Sequence, residues 1–212
     1  MIAADAQTGG RGRLGRTWHS PPGDNLYVSL LLRPRRSAAE IPPLTLLAGA
    51  AVARAIAPLG VSPRLKWPND VQLVDAAGTR RKLAGVLTEM ASAGARVEHV
   101  VVGIGINVNA TAFPEELADR ATSLRLATGA PVDRAGVLAR LLDAFEPLFE
   151  AFEQEGPAPA VAAFTEYAAL PQPCRVDDRL QGGALGVDPD GALRLRDDAG
   201  QIHRVISGEV QP

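Results

Sequence analysis

Residues 9–18 alternate glycine with arginine and lead straight into an apolar segment. The glycines are Gly9, Gly10, Gly12 and Gly15, and the arginines are Arg11, Arg13 and Arg16. Glycine lets backbone N–H groups approach an anion closely, and the arginine fork fits a carboxylate or a phosphate. Such a run is also typical of a solvated tail or a nucleic-acid-binding arm. Trp18 and the apolar residues of 25–32 tether it to a core, which favours a loop that encloses a small anionic ligand.

The spacing of apolar residues predicts an α+β domain. Apolar residues recur every three or four positions over 42–59, with prolines at the start and Gly60 at the end, which predicts a helix. Further helices are expected over about 133–155 and about 158–168, and strands over about 64–67, 71–74, 82–90 and 97–108. Helices that flank a mixed sheet are the expected arrangement.

A second, smaller domain is expected after Leu170-Pro171-Gln172-Pro173. From Cys174 onward, short β-type segments alternate with turns rich in glycine and aspartate. This spacing predicts a small barrel of about five strands. The predicted domains are therefore 1–169 and 170–212.

Composition limits the classes of protein to which the chain can belong. With 212 residues and 46% hydrophobic content it can bury one sizeable core and a small appended domain. A net charge of −2 excludes a global basic field for nucleic acid or an anionic membrane. No apolar run reaches the roughly 18 residues of a spanning helix, no signal peptide is visible, and a single cysteine, Cys174, suggests a reducing compartment. We expect a cytoplasmic protein.

Three further segments, together with the anion-binding loop, resemble a known family. They are Lys66-Trp67-Pro68-Asn69-Asp70, the residues 81–89 that read Arg-Lys-Leu-Ala-Gly-Val-Leu-Thr-Glu, and the residues 103–109 that read Gly-Ile-Gly-Ile-Asn-Val-Asn. With the loop, in this order and at these separations, they resemble the biotin protein ligases, and so does the segment 121–124. The resemblance runs from residue 1 to the C-terminus. It implies a catalytic domain like that of class II aminoacyl-tRNA synthetases and an SH3-like C-terminal domain.

The resemblance also indicates a shortened N-terminus. Family members usually carry, before this loop, a strand, a helix and a Ser/Thr-Thr-Asn motif that binds biotin, and the chain opens at Met1-Ile2-Ala3-Ala4-Asp5. We therefore expect an N-terminally shortened member. The helix-turn-helix domain of some members is not seen either, so no nucleic-acid partner is expected.

The activity implied by the resemblance is ATP-dependent attachment of biotin to a lysine of biotin carboxyl carrier protein, in acetyl-CoA carboxylase and related carboxylases. The expected intermediate is biotinoyl-5′-AMP, and the expected small molecules are biotin, ATP and Mg²⁺. The reactants are anionic, so cationic donors are needed where negative charge develops. The activated acid must also be shielded from water by a closing loop. A homodimer is compatible with the resemblance, and a membrane partner is not expected.

The resemblance assigns candidate residues to each part of such a site. Lys82, Arg13 and Arg11 are the candidate catalytic residues. The candidate biotin-binding residues are Gln7, Gly10, Arg11, Gly12, Arg13, Lys82 and Gly85. The candidate ATP-binding residues are Arg16, Trp18, Lys66, Asn69, Gly105 and Asn107. Asp70 is the candidate ligand of Mg²⁺, or a residue that orients Lys66.

Structural roles compete with several of these assignments. Trp18 could be a core anchor, Asn69 a turn cap, Gln7 an ordinary residue at a strand end, and Lys82 a solvated charge. A dinucleotide-binding interpretation of Gly103 and Gly105 fails, because Val108 stands at the third glycine position and no helix is expected there.

Two other functions stay open. One is a lipoate or octanoate ligase of the same fold, although those relatives usually carry an Arg-x-x-Ser-Gly-Gly-Gly motif that this sequence lacks. The other is a non-catalytic ligand-binding relative, or a nucleic-acid module that uses the Arg/Gly loop. The last interpretation predicts salt-dependent oligonucleotide binding without release of pyrophosphate.

Overall fold

A computed structural model describes residues 1–94, 96–171, 173–177 and 180–211. Gln172 of the predicted linker and Pro212 at the end of the predicted second domain lie outside these residues. Within the described residues the larger sheet has the strand order β1-β2-β6-β5-β4-β3. Its strands are β1 (Ile2–Ala4), β2 (Leu26–Leu32), β3 (Pro63–Lys66), β4 (Asp70–Val74), β5 (Arg80–Ala93) and β6 (Arg96–Ile106).

The three longer helices agree with the spacing of apolar residues, and two short helices were not predicted. They are α1 (Pro43–Ile56), α2 (Glu115–Ala118), α3 (Leu124–Thr128), α4 (Arg134–Glu155) and α5 (Ala158–Tyr167). The predicted helices over 42–59, 133–155 and 158–168 are confirmed as α1, α4 and α5. A 3₁₀ turn, Ala57–Leu59, extends α1 to Gly60, whose φ of 78° is the left-handed conformation that ends many helices. The side chain of Asp133 caps α4 by accepting hydrogen bonds from the first backbone N–H groups.

Helix α1 is the centre of the core. It packs against β3, β4, β5 and β6 on one side and against α4 and α5 on the other. Leu44, Leu47, Val52 and Ile56 are fully buried. By length and composition the segment Ala38–Leu59, of mean hydropathy 1.4, could cross a membrane, and 72% of it is buried inside the fold. A central helix enclosed by a sheet and two helices has this composition, so its burial accounts for the hydropathy.

The prediction of a mixed sheet is wrong. Every pair of neighbouring strands that the structure describes in the larger sheet is antiparallel. Parallel pairing occurs only at single bridges, Leu65 with Ala168 and Lys82 with Ala121 in the described part of the chain. The reason lies in the connections: β3 to β6 follow one another through short turns, and a short turn joins neighbouring strands only when they are antiparallel. The longer α1 connection joins β2 to β3, which are not neighbours.

The two faces of the larger sheet have different roles. The face under the helices buries Val28, Val86, Val102 and Ile104. On this face the hydroxyls of Thr88 and of Thr45 in α1 form a hydrogen bond at 2.9 Å. Because successive side chains of a strand point to opposite faces, the intervening positions of β5 and β6 face the other way. These positions carry the motif glycines, and the segment between β1 and β2 crosses over them.

A second antiparallel sheet forms the C-terminal part of the chain. Its order is β10-β9-β8-β7-β11, and its strands are β7 (Cys174–Val176), β8 (Leu180–Val187), β9 (Leu193–Arg196), β10 (Ile202–Val205) and β11 (Val210–Gln211). This confirms the predicted small SH3-like domain. Trp67 Nε1 donates a hydrogen bond to the Gly191 carbonyl at 2.9 Å, so the second sheet contacts the end of β3. The boundary at 169/170 stays a prediction.

Candidate active site

The Arg/Gly segment folds back on itself as an ordered loop. Trp18 N donates to the Gly10 carbonyl at 2.9 Å, and Gly12 N donates to the Arg16 carbonyl at 2.7 Å. The tip is a 3₁₀ turn over Arg13–Gly15, in which Leu14 has a left-handed φ of 57° and is 72% exposed. A left-handed conformation is costly for a side chain with a Cβ, and such residues cluster at functional sites. The backbone N–H of Gly12 is thus used within the loop.

Trp18 covers the motif glycines of the sheet. Gly85 of β5 and Gly105 of β6 are direct cross-strand partners. A Cβ on Gly85 would lie 2.9 Å from Cζ3 of the indole, and a Cβ on Gly105 would overlap the indole Nε1. Sequence analysis assigns Gly85 to the candidate biotin-binding residues and Gly105 to the candidate ATP-binding residues, and in this structure the indole lies against both. We call the strip formed by Gly85 and Gly105 the glycine cradle.

The indole N–H of Trp18 is an unusual feature of this cradle. Nε1 is buried and has no hydrogen-bond partner among the described residues. A buried N–H without a partner costs about 1–3 kcal/mol, so it is expected at sites that bind a ligand or a water. Trp18 therefore packs against the sheet, as its alternative role as an anchor suggested, and its role in binding ATP stays a prediction.

Lys82 lies at the edge of the glycine cradle. Its Nζ is 2.6 Å from Asp70 Oδ1 and 5.3 Å from the centroid of the Trp18 ring. Its backbone is fixed on both sides, because Lys82 N donates to the Arg120 carbonyl at 2.7 Å and Thr122 N donates to the Lys82 carbonyl at 2.9 Å. Lys82 is therefore a positioned, half-buried cation and not a freely solvated charge.

Asp70 is the partner of Lys82 in this structure, so it does not orient Lys66 through an ion pair. Lys66 and Asp70 are cross-strand neighbours in β3 and β4, but the Asp70 carboxylate accepts the ammonium of Lys82. No cluster of three or more potential ligands for a metal ion occurs in the part of the chain that the structure describes. Mg²⁺ is usually bound by one or two carboxylates together with substrate phosphates, so the role of Asp70 as a ligand of Mg²⁺ stays a prediction. Mg²⁺ stays a prediction, and it would arrive on the phosphates of the nucleotide.

Each loop arginine has its own protein acceptor. Arg11 Nη2 pairs with Glu89 Oε2 of β5 at 2.9 Å, and Arg16 pairs with Glu209, the residue before β11 of the C-terminal sheet. Arg13 Nη1 lies 3.2 Å from Asn69 Oδ1 and 3.4 Å from the Gly208 carbonyl. Three separate elements therefore hold the loop over the sheet.

The electrostatics of these contacts follow from burial and charge. Burial lowers the pKa of the Arg13 guanidinium, which still remains charged at neutral pH. The hydrogen bond from Arg16 lowers the pKa of the Glu209 carboxyl, and the charges of Arg16, Lys66 and Lys82 act in the same direction. The site is therefore a cluster of cations around a small number of carboxylates, which suits a ligand that brings further negative charge.

The asparagines of the two motifs have structural contacts. Asn69 accepts from Arg13, and its Nδ2 donates to the Val86 carbonyl at 3.2 Å. Asn107, 6% exposed, donates from Nδ2 to the Thr122 carbonyl at 3.1 Å. Asn69 therefore joins the loop to β5, a structural role that differs from the turn cap suggested by the sequence, and the segment that holds Lys82 also holds Asn107.

The structure brings some of the predicted residues together and separates others. Trp18, Lys82, Asp70, Gly85 and Gly105 meet at the glycine cradle. The side chain of Arg11 instead contacts Glu89, a later residue of β5, and it is 71% exposed. Arg13 also borders a cavity of 270 Å³, and the lining of this cavity includes Trp67, Met90 and Ile206. The cradle itself is not an open cavity, because the indole fills it.

Sequence reasoning missed four residues of the site. Glu89 and Glu209 bind loop arginines, Thr122 joins Lys82 to Asn107, and Ser20 contacts Gln7. Glu209 is 193 residues from Arg16, so no spacing in the sequence signals that contact. The 121–124 segment did carry a signal, because it resembled the family, but its role was not predicted.

A glycine-lined strip under a basic loop, on an antiparallel sheet with an appended SH3-like domain, defines an α+β ligand-binding fold of the ligase type. The model of the Biotin/lipoate A/B protein ligase family matches residues 1–107, and the model of the Biotin protein ligase C terminal domain matches residues 172–211. The chain belongs to the biotin/lipoate A/B protein ligase family.

Individual relatives agree with this assignment. Bifunctional ligase/repressor BirA of Bacillus subtilis (strain 168) is 38% identical over 218 residues, which are 100% of this chain and 65% of the relative. Biotin--[acetyl-CoA-carboxylase] ligase of Mycobacterium tuberculosis is 36% identical over 99% of this chain and 74% of its own length. The structure of biotin protein ligase from Aquifex aeolicus in complex with biotin and ATP aligns with a TM-score of 0.82 at 33% identity, over 99% of this chain and 86% of that one. The chain thus spans 65% of the length of the BirA relatives it matches.

Proposed function

We propose that this chain attaches biotin to a lysine of biotin carboxyl carrier protein in acetyl-CoA carboxylase and related carboxylases, with ATP as co-substrate and biotinoyl-5′-AMP as intermediate. The observation that carries the proposal is the position of Lys82. Its ammonium lies beside Trp18 at the glycine cradle, beneath a loop with three arginines. A relative of the same family was solved with both biotin and ATP.

The first step forms an acyl-adenylate. A carboxylate oxygen of biotin attacks the α-phosphorus of ATP, the bond to the β-phosphate oxygen breaks, and pyrophosphate leaves. Negative charge accumulates on the α-phosphate oxygens in the transition state. Lys82 at the cradle and Arg13 in the loop are both half-buried cations, and each can stabilise that charge without reorganising solvent.

Substrate binding requires an exchange of ion-pair partners. Lys82 is held by Asp70, Arg13 by Asn69 and a backbone carbonyl, and Arg16 by Glu209. A carboxylate or a phosphate that enters the site replaces or shares these acceptors. The cations are therefore already gathered before the substrates arrive, which lowers the cost of ordering them.

The second step transfers the acyl group to the acceptor. The neutral amine of the carrier lysine attacks the acyl carbon, the bond to the phosphate oxygen breaks, AMP leaves, and the amine proton passes to solvent. Before this step, the mixed anhydride must be kept from water. The ordered loop over residues 9–18, fixed to three other elements, supplies that cover.

The experiment is a paired assay of the purified chain. Pyrophosphate release is measured with ATP and biotin, lipoate or octanoate, and transfer is followed by mass spectrometry of a carrier domain. We expect pyrophosphate release and a biotin adduct on one lysine. Release with lipoate or octanoate alone would favour the other ligase activity, and salt-dependent oligonucleotide binding without release would favour the nucleic-acid module.

We also propose that two copies can associate, and that the protein works in the cytoplasm. Support for association comes from an edge of β5: its ladder with β4 ends at Gly85 and Asn69 caps Val86, while the strand continues to Ala93 without a further strand on that side among the described residues. An unpaired strand edge is a template for pairing with another chain. Sedimentation at increasing protein concentration tests association, and fractionation of the source cell tests location.

A further inference from the structure

Arg13 connects two separate parts of the fold. Its Nη1 donates to Asn69 Oδ1 at 3.2 Å and to the Gly208 carbonyl at 3.4 Å. Asn69 belongs to the turn between β3 and β4, whereas Gly208 lies between β10 and β11 of the second sheet. One nitrogen therefore serves two acceptors from different sheets. Arg13 can keep both contacts only while the turn and the second sheet keep a fixed separation.

Trp67 joins the same turn to the second sheet. It is the first residue of the turn 67–69, and it is 3% exposed. Its indole Nε1 donates to the carbonyl of Gly191, between β8 and β9, at 2.9 Å. Gly191 also lies close to α1, because a Cβ on it would be 3.3 Å from Pro43 Cγ. A buried hydrogen bond two residues before Asn69 therefore sets how far the turn stands from the second sheet.

Packing between the turn and the second sheet is incomplete. Residues of both parts line the same cavity of 270 Å³, which includes Arg13, Trp67, Pro68, Gly191 and Ile206 in its lining. Side chains that border a cavity lack contacts on one side, so packing restrains their separation weakly. A directional hydrogen bond has a larger share in fixing the two parts under these conditions.

Arg204 of β10 restrains the turn that carries Gly191. Its Nε lies 2.6 Å from Asp188 Oδ2, and its Nη2 lies 2.5 Å from Asp190 Oδ2. The hydrogen bond from Arg204 lowers the pKa of the Asp190 carboxyl. Within the turn, Gly191 N donates to the Asp188 carbonyl at 2.8 Å. One guanidinium thus joins two carboxylates of the turn whose Gly191 carbonyl accepts the indole N–H.

We infer that Trp67, held through Arg204 and the turn 188–191, is a positioning residue for Arg13. The inference rests on the proposed function, in which the loop over residues 9–18 retains biotinoyl-5′-AMP. Trp67 keeps Asn69 and Gly208 at the separation that Arg13 needs in order to contact both. Loss of the indole N–H should therefore loosen the cover that loss of the Arg13 side chain removes.

The first experiment measures leakage of the activated acid. The chain is incubated with ATP, biotin and serum albumin as a bystander, and biotin on albumin is divided by the pyrophosphate released. Trp67→Phe keeps an aromatic ring in the core but lacks the N–H group. We expect the ratio to rise about fivefold, as for the loss of one hydrogen bond. Trp67→Phe/Arg13→Gly should give the same ratio as Arg13→Gly alone, because both residues act through one contact.

The controls separate positioning from stability. A merely structural role for Trp67 would lower pyrophosphate release and labelling together, and the unchanged ratio would overturn the inference. Effects that multiply in the double variant would also overturn it, because Trp67 would then act apart from Arg13. Arg54→Gln removes an exposed ion pair with Glu166 between α1 and α5, and it should keep the wild-type ratio.

The second experiment tests the contact without the activity. The chain has two tryptophans, Trp18 and Trp67, so labelling with the heavy nitrogen isotope gives two indole N–H signals in NMR. Trp67→Phe removes one signal and so assigns both. Arg204→Gln should speed hydrogen exchange of the Trp67 indole about threefold and leave that of Trp18 unchanged.

The two experiments fail in different ways. Equal exchange of the Trp67 indole in wild type and in Arg204→Gln would show that Arg204 does not hold the contact, and it would overturn the inference. A wild-type chain that releases no pyrophosphate with biotin refutes the proposed function itself. The exchange measurement then still decides whether Arg204 holds Trp67.

Discussion

Replacing Lys82 by alanine should abolish most of the adenylation and also weaken the fold, and the two effects can be separated. The ammonium is 2.6 Å from Asp70 Oδ1, and the side chains are 34% and 20% exposed, respectively. Lys82→Ala removes a cation that the proposed mechanism uses in the transition state. It also leaves the largely buried Asp70 carboxylate without that partner.

The magnitudes of the two effects differ. Loss of one charge-assisted contact made in the transition state costs about 2–4 kcal/mol, which is about a 30- to 1000-fold lower rate of adenylation. The unpaired carboxylate should lower the free energy of unfolding by about 1–2 kcal/mol, because it keeps some contact with solvent. Asp70→Asn in the same chain removes the unpaired charge, so Lys82→Ala/Asp70→Asn should recover most of the stability and none of the rate.

The assay combines biotin-dependent exchange between pyrophosphate and ATP with urea denaturation of wild type, the single variant and the double variant. If folded Lys82→Ala exchanges at nearly the wild-type rate, Lys82 has no part in the mechanism. If the double variant stays as unstable as the single one, the ion pair with Asp70 is not the source of the instability. Recovery of both stability and rate would show that Lys82 acts only by holding Asp70.

Three further predictions concern the loop and the cradle. Arg13→Gly should leave some adenylation but release the activated acid, so that labelling of bystander lysines rises; unchanged labelling with adenylate still made would exclude retention by Arg13. Gly105→Ala should weaken ATP binding at least tenfold in calorimetry, because its Cβ overlaps the indole, whereas Gly103→Ala, whose Cβ would meet its nearest neighbour at an ordinary 3.5 Å, should bind ATP normally. Glu209→Gln should lower the free energy of unfolding at pH 7 by less than about 1 kcal/mol, since Arg16 is 62% exposed. The pKa of Glu209 is lower in the folded chain than in the unfolded chain. Glu209 therefore contributes fully to the free energy of unfolding above its unfolded pKa, and this contribution is lost as pH falls through its folded pKa. The free energies of unfolding of wild type and variant should therefore become equal in acid. If the two free energies of unfolding still differ in acid, the ion pair between Arg16 and Glu209 is not the source of the difference.

Local sequence was sufficient for the three long helices and the central strands, but it did not predict the short helices α2 and α3. The spacing of Leu44, Leu47, Val52 and Ile56 gave the central helix, because helical periodicity puts these residues on the buried surface. The β-type segments over 64–67, 71–74, 82–90 and 97–108 predicted β3 to β6, since extended apolar runs bounded by turns need little tertiary context. Strand direction was not available from such patterns, and the mixed sheet was wrong for that reason.

The sequence by itself determined the family and supplied most of the candidate site residues, because its motifs place particular residue types at particular separations. Only the tertiary structure decided their partners. The register of β5 and β6 sets Gly85 opposite Gly105 and so forms the cradle that Trp18 fills. Folding also pairs Asp70 with Lys82 and places Glu209, from the far end of the chain, beside Arg16. Contacts of this kind depend on strand register, in which a slip of one residue turns every side chain to the other face, and on domain packing, neither of which local sequence patterns specify.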